Sequence, residues 1–373
     1  MKPNIILFII WIAIGASCYE RYDADIVSDE TVLVVEGMVT NEPDFYPIRL
    51  SLAAPYDSGN NRIPVNSAHV YVTDDQGNSF TFTEREIGEY LSEKSEFLGL
   101  SGHTYILHIV MPDGEEYESD PQKLPTMVYP DSVYAEFAYQ ETIDQTTGLE
   151  AIRPGAIILA DIEPVPETFP YYRFTSALTT QYFYIFCITM VKCWSFHCWR
   201  TDNANSGLSL TGGDYSLNSS SIEKHAVCFI EKNELIFGSV YELLAREPFM
   251  RDTALLTDKY QNYNVHNNIV FLNQYTLNEE TYSYYKAVDE QISSEGKLFD
   301  PITAQLMGNI KCKTDPGKKV LGFFETSAVS HTAYKVDFKH LINDQPTLTK
   351  VPYILPPVES GCLIDTPPDF WVF

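Results

Sequence analysis

AHVYVTDDQGNSFTFTE, Ala68 to Glu84, decides the fold class. Val70 and Val72 fall on one side of an extended chain and His69, Tyr71 and Thr73 on the other, because successive strand side chains point to opposite faces. Asp74-Asp75-Gln76-Gly77-Asn78 interrupts the run with the residue types of a hairpin turn, and SFTFTE returns with the same period of two. Asp74 and Asp75 also offer oxygen ligands of the kind Ca²⁺ takes, but the distant glutamate of an EF-hand loop is absent, and the turn reading is preferred.

The neighbouring segments have the same grammar. TVLVVEGMV (31–39), YPIRLSL (46–52), GEYL (88–91), TYILHIVM (104–111) and DGEEYES (113–119) are short strands separated by Gly, Pro, Asn and Asp. Strands at roughly ten-residue spacing predict a β-sandwich over residues 31–125. LPTMVYPDSVYAEF (124–137) then reads as a linker into a larger β-rich domain, 126–373. There GAIILADIE, YYRFTSAL, QYFYIFCITMV, VCFIEK, VHNNIVFLNQYTL, VLGFFETSAV and AYKVDF are strand-like, and residues 203–221 form a Gly/Ser/Asn-rich insertion. One clear helix is predicted over about 278–293. Thr276-Leu277-Asn278-Glu279 resembles a capping box, and Tyr282, Tyr285, Val288 and Ile292 follow near helical spacing. The fold class expected is therefore mainly β: an N-terminal Ig-like or transthyretin-like β-sandwich, then a larger disulfide-bearing β-domain with one α-helix. LVVEGMVT, IPVNSAHVYVTDDQGNSFTFTE and GLSGHTYILHI carry the first part of that expectation, because they resemble the transthyretin- or carboxypeptidase-regulatory-type sandwich of bacterial surface proteins.

The amino terminus gives an address. Lys2 precedes an apolar stretch from Ile5 to Ala16, too short for the roughly 20 residues that cross a bilayer but suited to a signal peptide, residues 1–17. Gly15-Ala16-Ser17-Cys18 resembles the lipobox of bacterial lipoproteins, with Gly15 where leucine is commonest. The resemblance implies diacylglycerol on the Cys18 sulfur, cleavage before it and palmitate-type acylation of the new amine; two or more chains on one residue anchor stably. Residues 18–30 read as an acidic tether, similar to the signals that export some lipoproteins of Bacteroidota-type outer membranes to the cell surface.

Composition excludes some partners. The formal net charge is −26, and −27 once Lys2 leaves with the leader, so the surface repels phosphate backbones and nucleic-acid binding is not expected. A hydrophobic content of 45% excludes disorder as the state of the bulk. Of the 7 cysteines, Cys18 is assigned to lipid. Cys187, Cys193, Cys198, Cys228, Cys312 and Cys362 remain as disulfide candidates, and six cysteines allow about fifteen connectivities that sequence does not resolve. Within CITMVKCWSFHCW, Cys193, His197 and Cys198 have the chemistry of Zn²⁺ ligands, but thiols outside the cytoplasm oxidise and the spacing matches no zinc module. Disulfides are the preferred reading, and no metal or cofactor is expected.

No G-x-S-x-G, H-E-x-x-H, P-loop or G-x-G-x-x-G occurs in the sequence. Glu231 with Glu234, and Glu279 with Glu280, are read as solvated carboxylates rather than a glycosidase pair. The candidate ligand-contact aromatics are Trp194, Trp199, Tyr282, Tyr284 and Tyr285, although rings in such positions are more often packed.

LNEETYSYYKAVDEQISSEGKLFDPITAQLMGNIKCKTDPGKKVLGFFETSAV (277–329) resembles the C-terminal signature of a Bacteroidota lipoprotein family of unknown function. Its elements are an E-x-Y-x-Y-(Y/W)-K helix, L-F-D-P, G-N-I and V-L-G-(Y/F)-F, with an early VVEG strand. Members of that family are often encoded beside SusC-like TonB-dependent receptors. The resemblance implies a non-enzymatic, surface-exposed outer-membrane lipoprotein that serves such a transporter or binds its ligand. The alternatives are a surface hydrolase that trims a polymer before uptake, or an adhesin or assembly factor.

Overall fold

The computed structural model describes residues 32–53, 62–93, 97–143, 149–163, 171–189, 192–203, 209–211, 223–231, 268–294, 306 and 308–336. The fold is mainly β. In chain order the first strands are β1 (Val32–Thr40), β2 (Pro47–Ala53), β3 (Arg62–Pro64), β4 (His69–Asp74), β5 (Ser79–Glu86), β6 (Glu89–Leu91), β7 (Thr104–Val110), β8 (Glu116–Ser119) and β9 (Gln122–Lys123). Then come β10 (Ser132–Ile143), β11 (Glu150–Ile162), β12 (Tyr171–Thr189), β13 (Lys192–Asn203), β14 (Ser209–Thr211), β15 (Glu223–Glu231) and β16 (Asn268–Leu277). The helix α1 (Glu279–Ser294) precedes β17 (Ile310–Cys312) and β18 (Val320–Val336).

The alternation in Ala68–Glu84 is realised as the β4–β5 hairpin, with Val70 and Val72 fully buried. Asp74 turns it: one carboxylate oxygen accepts from the Gln76 and Asn78 amides at 3.0 and 2.8 Å, the other from Asn78 Nδ2 at 2.7 Å. Partial burial opposes ionisation, but these bonds outweigh it and hold the Asp74 carboxyl below its ordinary range. The Asp74 oxygens that suggested a calcium loop are thus engaged by the turn, and Asp75 Oδ1 pairs with His103 Nδ1 at 2.8 Å.

Most strands join one curled sheet in the order β13-β12-β16-β18-β1-β2-β6-β5-β4-β7-β8-β17, with β3, β9 and β14 paired beside β2, β7 and β12. Strand β5 is its corner, pairing with β4 through Ser79–Phe82 and with β6 through Thr83–Glu86, where the register shifts. Across that corner, β1 and β2 contribute Leu33, Val35, Ile48 and Leu50, while β4 and β7 contribute Val70, Val72, Leu107 and Ile109. Phe97 lies within this first core, its ring against those of Tyr46, Phe80, Phe82 and Tyr105 at 4.3–6.1 Å between centroids. The core takes residues from far along the chain as well: Ile310, Cys312, Val320, Phe324 and Ala328.

A second core lies between the other half of the large sheet and a three-stranded sheet, β10-β11-β15. Strand β11 presents Ala156, Ile158, Ala160 and Ile162 at a period of two, against Tyr172, Phe174 and Leu178 of β12 and Val270 and Leu272 of β16. The segment between β9 and β10 is held to this sheet by the Val128 carbonyl, which accepts from Gln274 Nε2 at 2.9 Å and Ser330 Oγ at 2.8 Å.

Strand β18 runs through both assemblies. Its first half pairs in parallel with β1, Leu33 opposite Val320 through Thr40 opposite Ser327. Its second half pairs antiparallel with β16, Ala328 opposite Thr276 through Val336 opposite Asn268. Phe323 to Ser330 are buried without a break, so the strand is covered on both faces and its alternation disappears. Two asparagines hold its backbone in both directions. Asn309 accepts from the Phe324 amide at 2.9 Å and donates to the Phe324 carbonyl at 2.8 Å. Asn41 accepts from the Val329 amide at 2.6 Å and donates to its carbonyl at 3.3 Å.

Gly322 sits where this strand meets its neighbours, with φ of 90°. A Cβ there would lie 1.9 Å from the Val35 carbonyl oxygen, and one on Gly308 would lie 1.5 Å from the Gly322 oxygen. Backbone, which cannot rotate away, occupies both places. Replacing either glycine with alanine is expected to lower stability by about 2–4 kcal/mol, through overpacking at both positions and added left-handed strain at Gly322. Gly317→Ala, whose Cβ would meet nothing nearer than 3.4 Å, is expected to stay within about 0.5 kcal/mol of the parent. Denaturant midpoints of the purified proteins check the contrast.

Candidate functional site

The helix that carries the tyrosines begins where β16 ends. The backbone is still in the β16 ladder at Thr276 and Leu277, so the cap is two residues later than the capping-box pattern suggested. Asn278 is the N-cap: its Oδ1 accepts from the Thr281 amide at 2.8 Å. Its Nδ2 donates to Gln122 Oε1 at 3.0 Å, and Gln122 Nε2 donates to Glu280 Oε2 at 2.6 Å, which docks the helix start on β9. Glu279 and Glu280 occupy the first turn, where carboxylates complement the positive end of the helix dipole.

The three tyrosines of α1 meet the sheet at three points. Tyr282 stacks on Tyr171 at 4.7 Å, and Tyr284 stacks on Phe323 at 4.5 Å. Tyr285 reaches deepest, donating its hydroxyl to Glu325 Oε2 at 2.5 Å. Glu325 is buried in β18, and its Oε1 accepts from Arg173 Nη2 of β12 at 2.8 Å and from the Ser327 hydroxyl. The Arg173 guanidinium lies over the faces of Tyr275 and Tyr285, 4.3 and 4.7 Å from the ring centres. The Arg173 and Glu325 side chains are 11% and 3% exposed, so this is a desolvated ion pair roofed by aromatic rings.

The electrostatics follow from that burial. Desolvation works against the charged guanidinium, but Glu325 first and then Tyr285 outweigh it and keep the Arg173 pKa above its ordinary value. Burial, then the adjacent Glu325 carboxylate, pushes the Tyr285 phenol far above the usual tyrosine range. Tyr285 therefore stays protonated and donates. Among the described residues Arg173 Nε has no hydrogen-bond partner, while Nη2 and both Glu325 oxygens are engaged within the cluster. The arrangement fixes α1, β12 and β18 to one another and leaves no carboxylate oxygen turned towards an open cleft.

The segments that carried the sequence resemblance converge here. VVEG lies in β1 beside VLGFF in β18, with Val35 opposite Gly322 and Gly37 opposite Phe324. The G-N-I segment supplies Gly308 against the Gly322 carbonyl and Asn309 against the Phe324 backbone. The E-x-Y-x-Y-Y-K helix supplies Glu280, Tyr284 and Tyr285. L-F-D-P, at 298–301, lies outside the described residues. A family described as a domain of unknown function (DUF4249) matches residues 19–333. The chain belongs to that family. The DUF4249 match runs through both cores, α1 and most of β18. No curated protein matches the chain, and no solved structure does.

The other residues singled out in the sequence are dispersed. Cys18 and Cys362 lie outside the described residues, as does Glu234. Cys187 and Cys193 are opposite each other on β12 and β13, Cys198 is opposite Tyr182, and Trp194 is opposite Phe186. Trp199 is buried, 7% exposed, in a packing position. Cys228 packs half-buried against the second core. The disulfide expected at Cys312 is not present: this thiol is buried in the first core, 3.3 Å from Thr314 Oγ1, and accepts from the Asp315 amide. Among the described residues no three or more His, Cys, Asp or Glu side chains are grouped to hold a metal ion. Sequence reasoning passed over Arg173 and Glu325. Their signal was present as a single opposite charge in each of two apolar strand runs, YYRF and GFFE.

Removing one partner of a buried pair strands the other, which costs about 3–5 kcal/mol. Arg173→Met and Glu325→Gln are each expected to lose about that much stability. The double variant should lose less than the sum of the two by about 1–3 kcal/mol, the coupling expected of residues in contact. Denaturant unfolding of the four proteins measures the cycle, and strictly additive losses would break the link drawn between the two residues.

Proposed function

We propose that this protein is a non-enzymatic accessory lipoprotein of the outer membrane, anchored through Cys18 and facing the cell surface. Its partner on this reading is a SusC-like TonB-dependent receptor, with the protein positioned to bind or present that receptor's ligand. The leader ending in Gly15-Ala16-Ser17-Cys18 is the observation that carries it. A cysteine placed where an apolar leader of this length stops has a direct chemical use as the acceptor of lipid.

Two features support the non-enzymatic part. The segments shared with the family meet at a desolvated junction whose charged groups bind one another, an arrangement suited to rigidity rather than turnover. The −26 net charge keeps an exposed protein soluble and disfavours polyanionic partners. The hydrolase reading would need two carboxylates, or a nucleophile and its base, converging on a cleft. The adhesin reading has no residue in its favour that the accessory reading lacks.

Two measurements test the proposal. Cys18→Ala should abolish incorporation of a labelled fatty acid and release the protein from membranes into the soluble fraction. Labelling that persisted would remove the anchor. A gentle-detergent pull-down of the Cys18-anchored protein from native outer membranes should recover a TonB-dependent receptor in stoichiometric amount. Recovery of the protein alone would count against the partnership.

A further inference from the structure

Sequence left six cysteines with no way to choose a pairing, and the strand register chooses one. In the β12–β13 ladder Cys187 is the direct cross-strand partner of Cys193, the last regular pair before the register shifts at Thr189 opposite Lys192. Directly opposed residues of antiparallel strands have Cα atoms about 4.5 or about 5.5 Å apart, depending on the type of pair. Disulfides accept Cα separations of about 4.4–6.8 Å, so the Cα spacing of a directly opposed pair allows a bridge, most readily in the closer, non-hydrogen-bonded type. We propose that Cys187 and Cys193 form a disulfide that closes the end of this hairpin.

The register also removes the other described cysteines as competitors. Cys198 is opposite Tyr182, five residues along β13 from Cys193, which at about 3.4 Å per residue puts it about 17 Å from the pair. Cys228 is opposite Ile158 in the three-stranded sheet, and Cys312 is buried in the first core. Neither belongs to this ladder.

The place makes the bond useful. Strand β16 accompanies β12 only from Tyr171 to Thr180, and β14 only from Tyr172 to Phe174. Among the described residues, β12 beyond Tyr182 has β13 as its one neighbouring strand. A two-stranded ribbon is marginal in water without further support. A covalent bond at its end holds the register where no third described strand does.

Formation balances as thiol–disulfide exchange. The Cys187 thiolate attacks one sulfur of an oxidised dithiol donor or of glutathione disulfide, forming a mixed disulfide and releasing one thiol. The Cys193 thiolate then displaces the second. The two cysteines lose two electrons and two protons, and one disulfide of the co-reactant becomes two thiols. In the cell that co-reactant would come from an oxidising compartment, so the inference leans on the extracytoplasmic placement proposed above.

The test uses the purified full chain equilibrated with glutathione disulfide, which supplies the oxidant independently of compartment. After alkylation and tryptic digestion, cleavage at Lys192 separates Cys187, on residues 174–192, from Cys193, on residues 193–200. The non-reduced digest should contain these two peptides joined, at about tenfold or more over any other Cys187 linkage, since the other described cysteines could be reached only by backbone movement. Fragmentation between Trp194 and Phe196 should place the bridge on Cys193 rather than Cys198. The link should survive Cys198→Ser and vanish in Cys187→Ser. Alkylation of both Cys187 and Cys193, or a bridge from Cys187 to another cysteine, would overturn the pairing. A link formed in this buffer alongside free thiols in protein taken from its native membrane would count against the extracytoplasmic placement and leave the pairing standing.

Discussion

One strand shared by two cores is the constraint on which the molecule rests. The first half of β18 is a parallel neighbour of β1, and its second half is an antiparallel neighbour of β16. Apolar burial is not directional and would let each core tolerate some slippage. A strand that serves both cores cannot slip in one without dragging the other. A shift of one residue would turn every β18 side chain to the opposite face, moving Phe324 out of the first core and Val336 out of the second. The two asparagine clamps act on the same strand, Asn309 at Phe324 and Asn41 at Val329, one in each half.

The Arg173–Glu325 pair reads differently in that setting. Buried ion pairs are weak contributors to net stability, because desolvation offsets most of the attraction. What the pair controls is which arrangement is tolerable. Displace β12 against β18 by a residue, and a guanidinium and a carboxylate are each buried without the other, with Tyr285 left to solvate one of them. That penalty acts against the displaced states more than it favours the native one. The helix is included in the same condition, because its cap on Gln122 and its Tyr285 hydroxyl on Glu325 fix both its start and its rotation about its axis.

What could be read from the sequence was local. The β4–β5 hairpin was visible because Val70 and Val72 alternate with His69, Tyr71 and Thr73 and because Asp74 to Asn78 can only turn. The helix was visible because Tyr282, Tyr285, Val288 and Ile292 repeat at its period, although the cap was displaced: a strand ladder, invisible locally, holds Thr276 and Leu277. The parallel pairing of β1 with β18 had no signal at all, since Leu33 and Val320 are 287 residues apart and each strand alone looks like any buried run. Glu325 was concealed for the same reason. Within GFFETSAV a carboxylate suggests an exposed edge until its partner from YYRF is known. The tyrosines drew notice as possible ligand contacts by their number, while the geometry gives them the sheet as their first partner.

The topology also bears on what anchoring at Cys18 would mean mechanically. Residues 19–31 separate that cysteine from β1, a contour of at most about 45 Å. Any pull transmitted through the tether arrives first at Val32 and runs along β1. Its neighbours there are β2 on one side and β18 on the other, with ladders from Val32 to Gly37 and from Leu33 to Thr40. A force along the strand loads those hydrogen bonds together in shear instead of opening them one at a time. Because β18 continues into the second core, the load is shared with the half of the chain that carries α1 and the β12–β13 hairpin. An anchored protein built this way would carry both cores as one body at the end of its tether, because β18 belongs to each of them.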